Sequence, residues 1–131
     1  MKALIVEKDR TIQQSLSLFM ERYKKFEVSS AFSMSEGISL FQTNAFDIVL
    51  CGDRLPDGNG FEILKEWVKQ KPKMISILMT VQSDEWLKQE AFKAGIQGYL
   101  VKPFDLKQLE EVIEISNFGM RLPAGQAGIA E

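Results

Sequence analysis

The chain has 131 residues, enough for one domain whose core needs no staples. Sixteen basic residues against 18 acidic ones leave a net charge of −2, no electrostatic footprint for nucleic acid or a membrane surface. With no histidine and Cys51 as the one cysteine, the sequence excludes Ser–His–Asp and Cys–His catalysis, a histidine phosphodonor, His-ligated zinc, an intrachain disulfide and a cysteine-cluster metal site.

Short apolar runs alternate with segments of helical period. Ala3–Val6 predicts a first strand, and its unbroken apolar run suits a parallel strand covered on both faces. Ile12, Leu16, Phe19 and Tyr23 then carry the stripe of a first helix. Phe26–Ser30 predicts a second strand. Ser33 and Glu36 form a capping box that opens a second helix with Met34, Ile38 and Phe41 on its buried face. Ile48–Cys51 is the third strand. The turn-forming stretch Gly52-Asp53-Arg54-Leu55-Pro56-Asp57-Gly58-Asn59-Gly60 follows, before a third helix marked by Phe61, Leu64, Trp67 and Val68. Pro72 ends that region, and Met74–Met79 predicts strand four. Ser83 or Asp84 caps a fourth helix that runs to Ala94 and stops at Gly95. Gly98–Val101 is a short fifth strand. Asp105 and Gln108 form a second capping box, ahead of a fifth helix buried through Leu106, Leu109 and Ile113. From Gly119 the chain is Gly/Ala-rich and aperiodic, so residues 1–118 are expected to form the domain and 119–131 a tail or the start of a linker.

Five βα units with right-handed crossovers predict an α/β three-layer sandwich around a parallel sheet. In such sheets the functional crevice lies at the carboxyl ends of the strands. Glu7, Lys8 and Asp9 follow strand one, Gly52 and Asp53 follow strand three, Thr80 ends strand four, and Lys102-Pro103 ends strand five. Acids, a hydroxyl and a lysine on one rim suit a phosphoryl group and a metal. The apolar runs reach only four residues, far short of a membrane span, and the N-terminus lacks a signal h-region. A cytoplasmic protein is expected.

The segments ALIVEKD, DIVLCGDRLPDGNGFEIL, ISILMT and AGIQGYLVKPF, in this order and spacing, resemble the receiver domains of two-component response regulators over about residues 2–118. The resemblance implies a flavodoxin-like sheet of order 2-1-3-4-5 with five helices. It implies a phosphoryl acceptor after strand three, an acidic pair after strand one that holds magnesium, and a helix 4–strand 5–helix 5 face read by protein partners. On the matching positions, Thr80 is the switch hydroxyl, Tyr99 the switch aromatic and Lys102 the phosphate-contacting lysine. Pro103 is the proline after that lysine, often preceded by a cis bond in the family. Glu7 is the first of the acidic pair.

Two positions depart from the family pattern. Lys8 stands where the second acid belongs, and Gly52, four residues before Pro56, stands at the acceptor position. A lysine about 4 Å from Mg²⁺ would repel it by roughly 8 kcal/mol at an effective dielectric of 20, unless its side chain swings out to water. The sequence therefore predicts no bound metal and no cofactor. It predicts instead an internal pairing of Lys8 or Lys102 with Glu7, Asp9 or Asp53, the ammonium standing in for the ion. Asp53 is the remaining acceptor candidate. Strand alternation points it away from the acceptor's side unless Gly52 allows a bulge, and the other reading is a loop aspartate that bonds nearby backbone amides. Cys51 reads as a small buried apolar residue.

On the fourth helix Leu87, Ala91 and Ala94 should face the sheet. Trp86 then falls about 100° away beside Glu90 and Lys93, with Phe92 further round. Two aromatics off the core face suggest an interaction surface. The expected function is a pseudo-receiver that works through protein–protein contacts without aspartyl phosphorylation, and it is not an enzyme. One alternative is an active receiver, phosphorylated on Asp53 with Mg²⁺ and turning over its own phosphoryl group. Another is a sensor that binds an anionic small molecule through Lys8 and Lys102. A homodimer and an output domain beyond residue 131 are further expectations. Direct contact with membrane or nucleic acid is not.

Overall fold

The computed structural model describes residues 1–117. In chain order these form β1 (Lys2–Val6), α1 (Arg10–Arg22), β2 (Glu27–Ala31), α2 (Met34–Thr43), β3 (Ile48–Gly52), β4 (Arg54–Leu55), β5 (Gly58–Asn59), α3 (Gly60–Gln70), β6 (Ile75–Thr80), α4 (Glu85–Lys93), β7 (Gly98–Val101) and α5 (Leu106–Asn117). The five long strands are parallel in the order β2-β1-β3-β6-β7. This is the flavodoxin-like order read from the sequence, with β6 and β7 as the fourth and fifth strands. The small antiparallel β4–β5 hairpin has no counterpart in the sequence reading, because its paired residues lie inside a stretch that reads as one loop. The tail expected from residue 119 lies outside the described residues.

Alternation along the strands builds two cores. Leu4, Val6, Val49, Cys51, Leu78 and Tyr99 pack on the side of α2, α3 and α4, where Phe41 stacks on Trp67 with ring centroids 4.5 Å apart. Ala3, Ile5, Ile48, Leu50, Ile77, Met79 and Leu100 pack on the opposite side with Leu16, Phe19 and Met20 of α1 and Leu109 and Ile113 of α5. Burial on both faces explains why these strands read as unbroken apolar runs.

The starts of α2, α4 and α5 follow the predicted caps. Ser33 Oγ accepts the Glu36 N–H while Glu36 reaches back to the Phe32 N–H, and Asp105 and Gln108 cap each other reciprocally. Asp84, not Ser83, caps α4. Gly95, with φ of 97°, turns the chain out of that helix. Gly60 is required by proximity: a Cβ there would run into the Gly52 carbonyl. Among the described residues no helix is long and apolar enough to cross a membrane.

Candidate functional site

The carboxyl ends of β1, β3, β6 and β7 bring together two polar pairs. In the first, Lys102 Nζ lies 2.7 Å from Glu7 Oε1, with the Glu7 side chain 1% exposed and that of Lys102 17% exposed. The other Glu7 oxygen accepts the Asp9 N–H at 2.9 Å. Gln13 anchors the base of the pair from α1, the two protons of its Nε2 shared among the carbonyls of Ile5, Glu7 and Ala31. Glu7 also reaches the acceptor position, since a Cβ built on Gly52 would lie 2.9 Å from Glu7 Oε1. The carboxylate of β1 thus occupies space beside the bare backbone of Gly52, with the lysine ammonium as its counter-charge.

In the second pair, Thr80 Oγ1 donates to Asp53 Oδ2 at 2.6 Å. The register explains why Asp53 points there. Its N–H bonds the Met79 carbonyl and continues the β3–β6 ladder one step beyond Gly52. Its own carbonyl accepts the Gly60 N–H at 2.7 Å, so the strand leaves the sheet without a bulge. Alternation sends Cys51 to the α2–α3–α4 side, Gly52 to the other side, and Asp53 back to that of Cys51. Thr80 shares this parity with Leu78. The Asp53 carboxylate meets the Thr80 hydroxyl, and strand parity puts both on the side of Cys51. Where the sequence also offered a loop aspartate that bonds nearby backbone amides, the carboxylate meets a side chain 27 residues away.

Three sequence expectations are corrected. Lys8 is exposed, not a pocket lysine; its predecessor Glu7 points inward, and Lys8 takes the outward position. The ammonium of the expected internal pair comes from Lys102 alone. Asp9 does not line an acidic pocket: it is exposed and accepts the Ile12 N–H at 3.0 Å as the N-cap of α1. Phe92 is half-buried and packs against the core. Trp86, by contrast, is 69% exposed on α4, where Glu90 pairs with Lys93 at 3.4 Å. The Lys102-Pro103 bond is cis.

Tyr99 is fully buried, and its hydroxyl donates to the Gln82 carbonyl at 2.8 Å. Burial, helped by the charges of Asp84, Asp53 and Glu85, pushes the phenol well above its usual range. Burial pushes the Cys51 thiol up in the same way, with Glu7 and Asp53 adding to the effect, so this cysteine is an inert core residue.

The sequence reading missed Gln13, Gln82, Lys88 and Asp57. Gln13 had a signal: a polar residue three positions from Leu16, on the buried side of α1. Lys88 is 4% exposed and sits 5.9 Å from the Tyr99 ring centroid, its ammonium held by Glu85 at 3.3 Å. The Asp57 carboxylate accepts the N–H groups of Met34 and Ser35 at 2.7 and 2.9 Å, tying the β4–β5 hairpin to the start of α2. Gln82 acts through its backbone, which no side-chain pattern announces. Among the described residues no group of three or more His, Cys, Asp or Glu side chains is placed to hold a metal ion.

Comparison with known proteins places this rim in context. Residues 3–114 match the response regulator receiver domain family model. Response regulator ArlR of Staphylococcus saprophyticus is 30% identical over 108 residues, 82% of this chain and 48% of that protein. Transcriptional regulatory protein ZraR of Salmonella typhimurium is 32% identical over 107 residues, 78% of this chain and 24% of its own length. The chain thus spans about half or less of these curated relatives. Among solved structures, a CheY-like receiver domain protein of Methanospirillum hungatei superposes with a TM-score of 0.81 at 28% identity, covering 90% of this chain and 94% of that one. The non-phosphorylated HemR receiver domain of Leptospira biflexa gives 0.80 at 31% identity, covering 93% and 97%.

Proposed function

This chain belongs to the response regulator receiver domain family, and from that premise we propose that it is a cytoplasmic pseudo-receiver, a protein-interaction module whose state does not depend on aspartyl phosphorylation. The Glu7–Lys102 pair carries the reading. The acceptor position is a glycine, and the carboxylate beside it is already neutralised by an ammonium at 2.7 Å. A divalent ion would have to compete with that lysine for Glu7, with few other carboxylates to hold it, and Mg²⁺ sites with few protein ligands are weak. No catalytic step of its own is proposed. Its partner is a protein, met through the face formed by α4, β7 and α5; Trp86 of α4 stands exposed on that helix.

The Thr80–Asp53 hydrogen bond favours a second reading, in which Asp53 accepts the phosphoryl group with Mg²⁺ bound. The sensor of anionic molecules loses its basis: Lys8 points outward and Lys102 is committed to Glu7, so these two ammonium groups do not converge.

Intact-mass analysis after incubation with Mg²⁺ and a small-molecule phosphodonor separates the two remaining readings. The pseudo-receiver keeps its mass. A gain of one phosphoryl group that Asp53→Asn abolishes would establish the active receiver instead.

A further inference from the structure

Three hydrogen bonds in series cross the rim on the α3–α4 side. The Tyr99 hydroxyl donates to the Gln82 carbonyl at 2.8 Å, the Gln82 N–H donates to Thr80 Oγ1 at 3.0 Å, and the Thr80 hydroxyl donates to Asp53 Oδ2 at 2.6 Å. A threonine hydroxyl has one proton. Once that proton is committed to Asp53, the oxygen presents its lone pairs to the Gln82 amide. Gln82 therefore has both backbone groups tied, within the segment 81–84 that leads into α4. Asp84 then caps α4 through the Leu87 N–H at 2.8 Å. Lys88, held by Glu85, flanks the Tyr99 ring.

We propose that the Asp53 carboxylate is a permanent latch: through Thr80 and Gln82 it holds Tyr99 inward and fixes the start of α4. The Trp86 surface is thereby kept in one conformation with no covalent modification. Charge makes the first bond the strong one, since a hydroxyl bonds an ionised acceptor at short distance and about twice as strongly as a neutral one. Its direction sets the next bond, and bonds in such a chain reinforce one another. A local turn made by Thr80 alone would bond the Gln82 N–H two residues on without help from Asp53. Under that arrangement Asp53 would be dispensable to the loop. Asp53 is thus a positioning residue, acting on Tyr99 and α4 through two intermediaries. The latch deepens the pseudo-receiver reading by naming what replaces the covalent trigger.

Amide hydrogen exchange followed by mass spectrometry tests the latch on the full chain without phosphodonor. Asp53→Ala and Thr80→Val should each speed exchange across residues 81–88 by about tenfold, the worth of one hydrogen bond to a charged acceptor. Exchange in α2 should stay unchanged. Thr80→Ser keeps the hydroxyl and should exchange like the wild type. Wild-type protection of residues 81–88 in Asp53→Ala would overturn the latch. If Asp53→Ala loosens the whole domain, Asp53→Asn decides: its amide oxygen can still accept from Thr80, so protection should fall less than in Thr80→Val, and an equal fall would overturn the proposal. This readout is separate from phosphoryl uptake. A domain that gains a phosphoryl group refutes the pseudo-receiver and leaves the exchange result standing, and unchanged exchange refutes the latch and leaves the mass result standing.

Discussion

Lys102 and Glu7 are 95 residues apart in the chain, yet their side chains meet at 2.7 Å at the end of the sheet. The carboxylate is almost fully buried and the ammonium mostly so. Such a pair gains little over a well-packed apolar replacement, but breaking it from one side strands a buried charge.

Lys102→Ala should therefore destabilise the domain by about 3 kcal/mol, read from urea denaturation midpoints. The double variant Glu7→Gln with Lys102→Met should recover more than half of that loss. Equal losses in the single and double variants would show that Glu7 does not depend on the lysine.

Gly52→Asp combined with Lys8→Asp tests what the two departures from the family pattern remove. A Cβ added at Gly52 would press on Glu7 Oε1 at 2.9 Å, and that oxygen belongs to a side chain that can shift. With a carboxylate added at Gly52 beside that of Glu7, and the exposed Lys8 ammonium replaced by an acid, Mg²⁺ binding should become measurable by titration calorimetry, at least about tenfold tighter than in the wild type. Identical titrations would place the cause elsewhere than at these two positions.

The Asp57 carboxyl is held below its usual 3.8 by the N–H groups of Met34 and Ser35. A group with a lowered folded pKa stabilises fully above its unfolded value and loses that contribution as pH falls through the folded value. Thermal melts should show wild type above Asp57→Ala from neutral pH down to about 4, with the gap closing below that. A gap that is constant from about pH 5 to about pH 2 would refute the assignment.

Trp86→Ala should leave stability within about 0.5 kcal/mol of wild type, because the ring is 69% exposed, and should weaken association with the protein partner or a second copy. Leu87→Ala, one residue along and buried, should instead cost about 2–5 kcal/mol. Unchanged association in Trp86→Ala, by sedimentation or partner pull-down, would remove this surface from the account.

The strands were legible because burial on both faces writes an unbroken aliphatic run, and Ala3–Val6 and Ile48–Cys51 are such runs. The caps were legible because Ser33, Asp84 and Asp105 act within one helical turn. The rim was legible only in part. Alternation gave the side on which Asp53 lies, but the identity of its partner depends on where β6 falls in register, which no local pattern encodes. Lys8 was misplaced for a related reason: neighbouring residues leave a strand on opposite sides, and Glu7 took the inner one. Asp9 looks like a pocket acid by composition, but it lies one residue before a helix, where capping claims it.

By strand parity the ammonium–carboxylate pair and the hydroxyl relay leave their strands toward opposite sides of the sheet, although the charges of Glu7, Lys102 and Asp53 all reach Cys51. The charge-handling half and the mechanical half of the rim use different side chains, with no hydrogen bond between the two pairs among the described residues. A protein engineer could rebuild ion capture at Gly52 without disturbing the lever that ends at Tyr99, or cut the lever without exposing the buried charge.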